Sequence, residues 1–187
     1  MDEALLIDGL RLRKPEAYRS LVADYGDRVY NTVLSMMQHT EEAEDVVQEV
    51  FIAVYQNISR FRGDAKLSTW VYRIAITKSL EALRRNKRRR EATVPDITTE
   101  NTEDLVSQFH HPGVQLENKE QAAVLFAAIA MLPDTQQSAF VLHKIEGLSY
   151  QDIAGIMKTT LPAVESLMYR AKQSLQKHLA AYYNKHY

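Results

Sequence analysis

The sequence predicts an all-α protein built as two small helical domains joined by a flexible acidic linker. Three observations carry this. Gly and Pro number only 6 and 5 in 187 residues, while good helix formers such as Leu, Ala, Glu, Lys, Arg and Gln are plentiful. Apolar residues recur at three- and four-residue steps through both halves of the chain. Between the halves, residues 91–116 hold no Lys or Arg but carry Glu91, Asp96, Glu100, Glu103 and Asp104, with Pro95, Pro112 and Gly113. That stretch reads as the linker. It leaves an N-terminal domain over 1–90 and a C-terminal domain over 117–187.

Pro15 opens the first predicted helix, since its missing N–H costs nothing in a first turn. Tyr18, Leu21, Val22, Tyr25, Val29, Tyr30, Val33, Leu34 and Met37 mark its apolar side, and Gly26 is the expected bend. Thr40, followed by Glu41 and Glu42, starts the second helix, with Ala43, Val46, Val47, Val50, Phe51 and Val54 in line. The segment "SRFRGDAKLS" breaks the pattern. Ser68 then begins a third helix carrying Trp70, Val71, Ile74, Ala75, Leu80 and Leu83, and ending in the basic run Arg84, Arg85, Lys87, Arg88, Arg89 and Arg90.

In the second half, one helix is expected from Glu117 to Met131 and another from Pro133 to Ile145, closed by Gly147. Ser149 and Asp152 have the spacing of a capping box. A short helix, the turn "MKTT" and a longer helix follow, with Ala154 small enough for close crossing. This is the spacing of a helix-turn-helix. On its second helix Val164, Leu167, Met168 and Ala171 form the inner side, and Glu165, Ser166, Tyr169 and Arg170 the outer one.

The sequence contains no Cys, which excludes disulfides and thiolate metal sites, and the scattered His residues form no metal spacing. No metal and no cofactor is expected. No apolar run approaches the ~20 residues of a membrane span. The opening residues show no secretion signal, so a cytoplasmic location is expected. A formal net charge of −1 is low for a nucleic-acid binder, so the free protein is expected to hold DNA weakly.

Three constellations bear on function. The outer edge of the second helix of the helix-turn-helix fits a major groove, where Arg170 reaches guanine or phosphate; the plain alternative is a helical hairpin. In "EDVVQEVFIAVY", Asp45, Gln48, Glu49 and Ile52 share one helical stripe, readable as solvated acids, an enzyme's carboxylates or hooks for a partner's helices. In "FRGDAKLSTWVYRIAITKSLEALRR", Phe61, Arg62, Lys66, Trp70, Tyr72, Arg73, Lys78, Arg84 and Arg85 interleave rings and cations. That composition suits unpaired bases stacking on aromatics, and equally a core with a charged outer face.

Taken in order, these motifs resemble the extracytoplasmic function (ECF) subfamily of sigma-70-type RNA polymerase sigma factors. "DVVQEVF" is similar to the family's core-binding segment, and "FRGDAKLSTWVYRIA" to its promoter-melting and downstream-element segment. "LPDTQQSAFVLHKIEGLSYQDIAGIM" and "AVESLMYRAKQSL" resemble its fourth domain. The resemblance implies a sigma-2-like bundle over 1–90, a sigma-4-like helix-turn-helix domain over 117–187, and a non-enzymatic role bridging core RNA polymerase and promoter DNA. It implies that Asp45, Gln48, Glu49 and Tyr55 grip the polymerase. It implies that Ser59, Phe61 and Thr77 hold a flipped base of the −10 element, with Trp70 and Arg73 on the same helix. Glu165, Ser166, Tyr169 and Arg170 then read the −35 element. Thr77 stands where the family often has Asn, and Glu165 where a basic or small residue is common. A monomer when free and an anti-sigma partner, in some cases membrane-bound, also follow. Rival readings are a two-domain helix-turn-helix regulator acting without polymerase, and an enzyme built on the acids near Asp45.

Two promoter elements about two duplex turns apart lie roughly 70 Å distant. A random coil of about 26 residues averages roughly 28 Å end to end. The linker alone therefore cannot set the spacing, and a larger scaffold must.

Overall fold

The computed structural model describes residues 2–93 and 119–186, and every regular element among them is helical. The N-terminal half holds α1 (Glu3–Arg11), α2 (Pro15–Met37), α3 (Thr40–Asn57), a 3-10 turn (Ile58–Arg60) and α4 (Leu67–Thr93). The C-terminal half holds α5 (Lys119–Ala130), α6 (Asp134–Lys144), α7 (Tyr150–Met157) and α8 (Leu161–His186). From residue 94 on, the expected linker lies outside the described residues. α4 runs to Thr93, past the expected boundary at Arg90.

Helix α2 begins on Pro15 as expected and passes through Gly26 without interruption. It stops where Gln38 turns left-handed at φ 57° and donates its N–H to the Leu34 carbonyl. Helix α3 starts at Thr40, with Glu41 and Glu42 in the first turn, where the helix dipole favours acids. Leu21, Val33, Val50, Val54, Leu67, Val71 and Ala75 of α2, α3 and α4 are fully buried in one cluster. Each such Leu or Val contributes about 1.5–3 kcal/mol by leaving water.

Helix α1 has no counterpart among the sequence expectations. Asp2 caps it, accepting from the Ala4 N–H, and Leu6 and Leu10 bury against the first cluster. It also fixes the segment between α3 and α4. Arg11 Nη2 donates to the Phe61 carbonyl at 2.8 Å, and Glu3 Oε1 accepts from the Leu67 N–H at 3.2 Å. Glu3 thereby places an anion at the N-terminus of α4. Gly9 sits where α1 meets α2: a Cβ there would lie 2.7 Å from Ala17 Cβ. Gly9→Ala is therefore expected to destabilise the protein by about 1–3 kcal/mol, the usual cost of overpacking. A urea melt of that variant checks it.

In the C-terminal half, Val164, Met168, Ala171 and Leu175 of α8 pack with Ile153 and Ile156 of α7, Val141 and Leu142 of α6, and Phe126 and Ile129 of α5. Gly147 adopts φ 67° between α6 and α7, a conformation that costs other residues more. Ser149 Oγ accepts from the Asp152 N–H at 3.1 Å, as the capping-box spacing predicts. His143 is structural: its Nδ1 lies 2.9 Å from the Leu148 carbonyl oxygen, and its ring meets Tyr150 edge-on.

The two halves are in contact. Met36, Tyr72 and Ile76, from α2 and α4, lie in the same buried cluster as Phe126, Ile129, Phe140, Ile153 and Ile156. This direct packing was not foreseen from the sequence.

Candidate nucleic-acid interface

Helices α7 and α8 form the helix-turn-helix. Lys158 is left-handed at φ 52°, the Thr159 N–H donates to the Ala154 carbonyl, and Thr160 Oγ1 accepts from the Ala163 N–H. That turn aims α8 across α7, and Ala154 is buried near the crossing. Burial of Val164, Met168 and Ala171 fixes the rotation of α8. Glu165, Ser166, Tyr169 and Arg170 are left outward, and together they line one shallow, open depression. Tyr169 is 64% exposed. Its hydroxyl accepts from Gln173 Nε2 at 2.8 Å, and Arg170 Nε donates to the Ser166 carbonyl at 3.2 Å. Gln173 was missed from sequence, although its spacing of four from Tyr169 puts it on the same edge.

On α3, Asp45 and Gln48 are exposed, and Ile52 between them and the helix end is 44% exposed. An apolar side chain beside two polar ones on an open stripe suits a partner's helix. Glu49 is half-buried and already engaged: Arg85 Nη2 lies 3.4 Å from Oε1, and Lys78 Nζ 3.8 Å from Oε2. Tyr55 follows three residues after Ile52 on the same helix and is half-buried. Its ring meets Tyr18 edge-on at 5.7 Å and the Arg13 guanidinium at 5.2 Å.

The expectation that Phe61 offers a bare stacking face needs correction. The ring is 5% exposed and packs on Trp70, with centroids 5.3 Å apart. A base cannot stack on a face already covered by the core. Ser59 is exposed on the 3-10 turn, as are Arg62 and Lys66 beyond it. Thr77 is exposed on α4 and donates its hydroxyl proton to the Arg73 carbonyl, leaving its oxygen lone pairs outward. Lys78, Arg84 and Arg85 follow along α4.

Several of these cations bind the protein itself. Arg73 Nε donates to the Ile156 carbonyl at 3.1 Å and Nη2 to the Gly155 carbonyl at 2.5 Å, both on α7. Arg84 donates twice to Asp134 Oδ2 on α6. Nearby, Glu146 accepts the Tyr72 hydroxyl proton at 2.7 Å and faces Arg28 Nε at 3.6 Å. Burial, and then the hydrogen bond to Glu146, push the Tyr72 phenol well above its ordinary range. No group of three or more His, Asp or Glu among the described residues could hold a metal ion.

Comparison with known proteins separates the remaining readings. Residues 21–89 match the family model Sigma-70 region 2, and residues 122–175 match Sigma-70, region 4. The chain is 32% identical over 181 residues to the RNA polymerase sigma-H factor of Pseudomonas aeruginosa, covering 93% of this chain and 92% of that one. It is 30% identical to the ECF RNA polymerase sigma-E factor of Escherichia coli (strain K12), covering 94% and 93%. The chain belongs to the ECF sigma factors. As a sigma factor, it acts in transcription initiation.

Solved structures agree on the fold of this sigma factor. CnrH, in complex with the cytosolic domain of CnrY, gives a TM-score of 0.69 at 20% identity and covers 96% of this chain and 97% of its own. RpoE of Bartonella quintana, in complex with the anti-sigma factor NepR, gives 0.66 at 20% identity over 87% and 96%. The region 2 match spans most of α2 through α4, and the region 4 match spans α5 through the first half of α8. No helix among the described residues of the sigma factor is long and apolar enough to cross a membrane.

Proposed function

We propose that this chain binds core RNA polymerase through the α3 stripe and directs it to promoters by two contacts. Asp45, Gln48, Glu49 and Tyr55, with Ile52, meet the polymerase. Ser59, Arg62, Lys66, Thr77 and the cations of α4 hold the melted −10 strand, with Phe61 and Trp70 shaping the segment from beneath. Glu165, Ser166, Tyr169 and Arg170 read the −35 duplex in the major groove. The observation that carries this reading is the shared depression on α8, whose lining is the four residues chosen from sequence and whose opposite side buries Val164, Met168 and Ala171.

The physics is consistent. Extruding a base costs a few kcal/mol, and cations on the backbone with contacts to the base recover it. A carboxylate at Glu165 repels phosphate but accepts from a cytosine amino group, so it favours C–G pairs at its contact. The protein works in the cytoplasm beside the polymerase. An anti-sigma protein is the expected negative regulator, as NepR is for the Bartonella protein.

The test is transcription in vitro with core polymerase on genomic fragments, with and without this chain, mapping start sites. Chain-dependent starts preceded by common −35 and −10 sequences are expected, together with weak binding of those fragments by the chain alone. Tight, specific promoter binding without polymerase would favour the independent regulator instead.

A further inference from the structure

Five consecutive exposed residues, Arg62 to Lys66, hang between two buried anchors, Phe61 and Leu67. This is the segment assigned above to the melted strand. Gly63 stands in it at φ 81°, and a Cβ there would meet nothing within 4 Å. A loop with so little packing of its own samples many conformations unless something outside holds it. Its two ends are held, and both ties come from α1, a helix that carries no residue assigned to DNA or polymerase. Arg11 Nη2 donates to the Phe61 carbonyl at 2.8 Å, where the chain leaves the core. Glu3 Oε1 accepts from the Leu67 N–H at 3.2 Å, where the chain re-enters it.

Each bond fixes something that side-chain burial does not. Burial of Phe61 and Leu67 sets where those two residues sit. The bond to the Phe61 carbonyl sets the plane of the next peptide, and so the direction in which Arg62 departs. Leu67 opens α4, and its N–H is one of the first-turn donors that find no partner inside a helix. Glu3 fills that place from another helix, which fixes the start of α4 and the Lys66 just before it. Helix α1 has its own attachment without these bonds, since Leu6 and Leu10 are buried and Gly9 faces Ala17 closely. The Arg11 side chain stays 43% exposed, and Asp8 Oδ1 lies 3.6 Å from its Nη1. A neighbour one turn back thus steers the guanidinium.

We propose that Glu3 and Arg11 are positioning residues for promoter recognition: by holding both ends of the 61–67 segment, α1 sets how sharply the −10 bases are discriminated. Neither residue needs to touch DNA. They act through the Phe61 carbonyl and the Leu67 N–H, which orient Arg62 and Lys66 toward the strand. A segment fixed at both ends meets the right base without first being ordered. It meets a wrong base with the same geometry, and so with a worse fit. A segment released at its ends adapts to either. This deepens the sigma-factor reading and rests on its assignment of the segment to the melted strand.

The test uses the full chain with core polymerase on a promoter fragment from the start-site mapping, in its original form and with each −10 base replaced in turn. The readout is the ratio of transcription from the original fragment to that from its most damaging replacement. Glu3→Ala with Arg11→Ala is expected to lower this ratio about fivefold, the scale of one or two net hydrogen bonds, with co-elution with core polymerase unchanged. Glu3→Gln with Arg11→Lys keeps an acceptor for the N–H and a donor for the carbonyl, and should recover most of the lost discrimination. A helix that merely stabilised the fold would lower both rates together and leave the ratio where it was. That outcome overturns the proposal. Should the double alanine variant fail a thermal melt, Arg11→Ala alone is read in the same way, with a smaller fall in the ratio expected and an unmoved ratio again decisive against it. Arg62→Ala with Lys66→Ala tests the underlying assignment. If that pair weakens transcription while the α1 variants keep full discrimination, only the positioning role fails. If that pair leaves every fragment fully transcribed, the segment does not hold the melted strand, and the assignment and the positioning role fall together.

Discussion

Asp45→Arg combined with Glu49→Ala is expected to lower chain-dependent transcription at least a hundredfold without unfolding the protein. Asp45 is exposed on α3 beside Gln48 and Ile52, so the substitution removes no core contact. Loss of Glu49 frees Arg85 and leaves Lys78 with Glu81 at 3.2 Å, and exposed pairs of this kind are worth about 1 kcal/mol or less. Once docked, the same carboxylates lose water on both sides. Truncating one member of a buried charged pair then costs about 2–5 kcal/mol, and reversing the sign adds repulsion. Co-elution with core polymerase and run-off transcription should fall together, while the thermal midpoint moves by only a few degrees. Undiminished co-elution would show that α3 is not the polymerase-facing helix.

The second large effect is expected from Met168→Ala, at the next position to one that should behave in the opposite way. Met168 is 1% exposed, packed among α6, α7 and α8. Removing its side chain costs about 2–5 kcal/mol through lost transfer energy and the cavity left behind. That is a large share of the 5–15 kcal/mol that holds a typical domain folded. Tyr169→Ala, by contrast, should shift stability by no more than about 0.5 kcal/mol, being a surface change. It should instead weaken −35-dependent transcription tenfold or more. Denaturation curves and start-site assays on the two variants separate packing from recognition. Equal stability of both would mean that α8 is rotated from the orientation described above.

How far the residues alone could go follows from what kind of force acts at each. The rotation of α8 was readable because Val164, Met168 and Ala171 repeat at helical steps, and burial follows such spacing. The start of α2 at Pro15 and the Ser149 cap were readable because each depends on chemistry within one turn. Helix α1 was missed: its sequence is short, and its role lies in distant partners, Phe61 and Leu67. Phe61 has two open readings in sequence for a related reason. An aromatic beside cations looks the same in sequence whether its face is open or covered, and Trp70 with the α1 contact decides it. Glu146 gave no signal at all, since its partners stand at Arg28 and Tyr72, more than seventy positions away. Periodicity reports which side of a helix is inward; it is silent on which half of the chain supplies the other surface.

Glu49 has a further consequence, because one carboxylate serves two customers. In the free protein it neutralises Lys78 and Arg85. On the proposed docking, polymerase draws it away and leaves the Arg85 guanidinium without that counter-ion, better disposed toward phosphate, while Lys78 keeps only Glu81 at 3.2 Å. Linkage requires the reverse in equal measure: phosphate that captures the cations frees Glu49 for the enzyme. The promoter and the polymerase would therefore each raise the chain's affinity for the other, through competition for a single side chain and with no change of backbone.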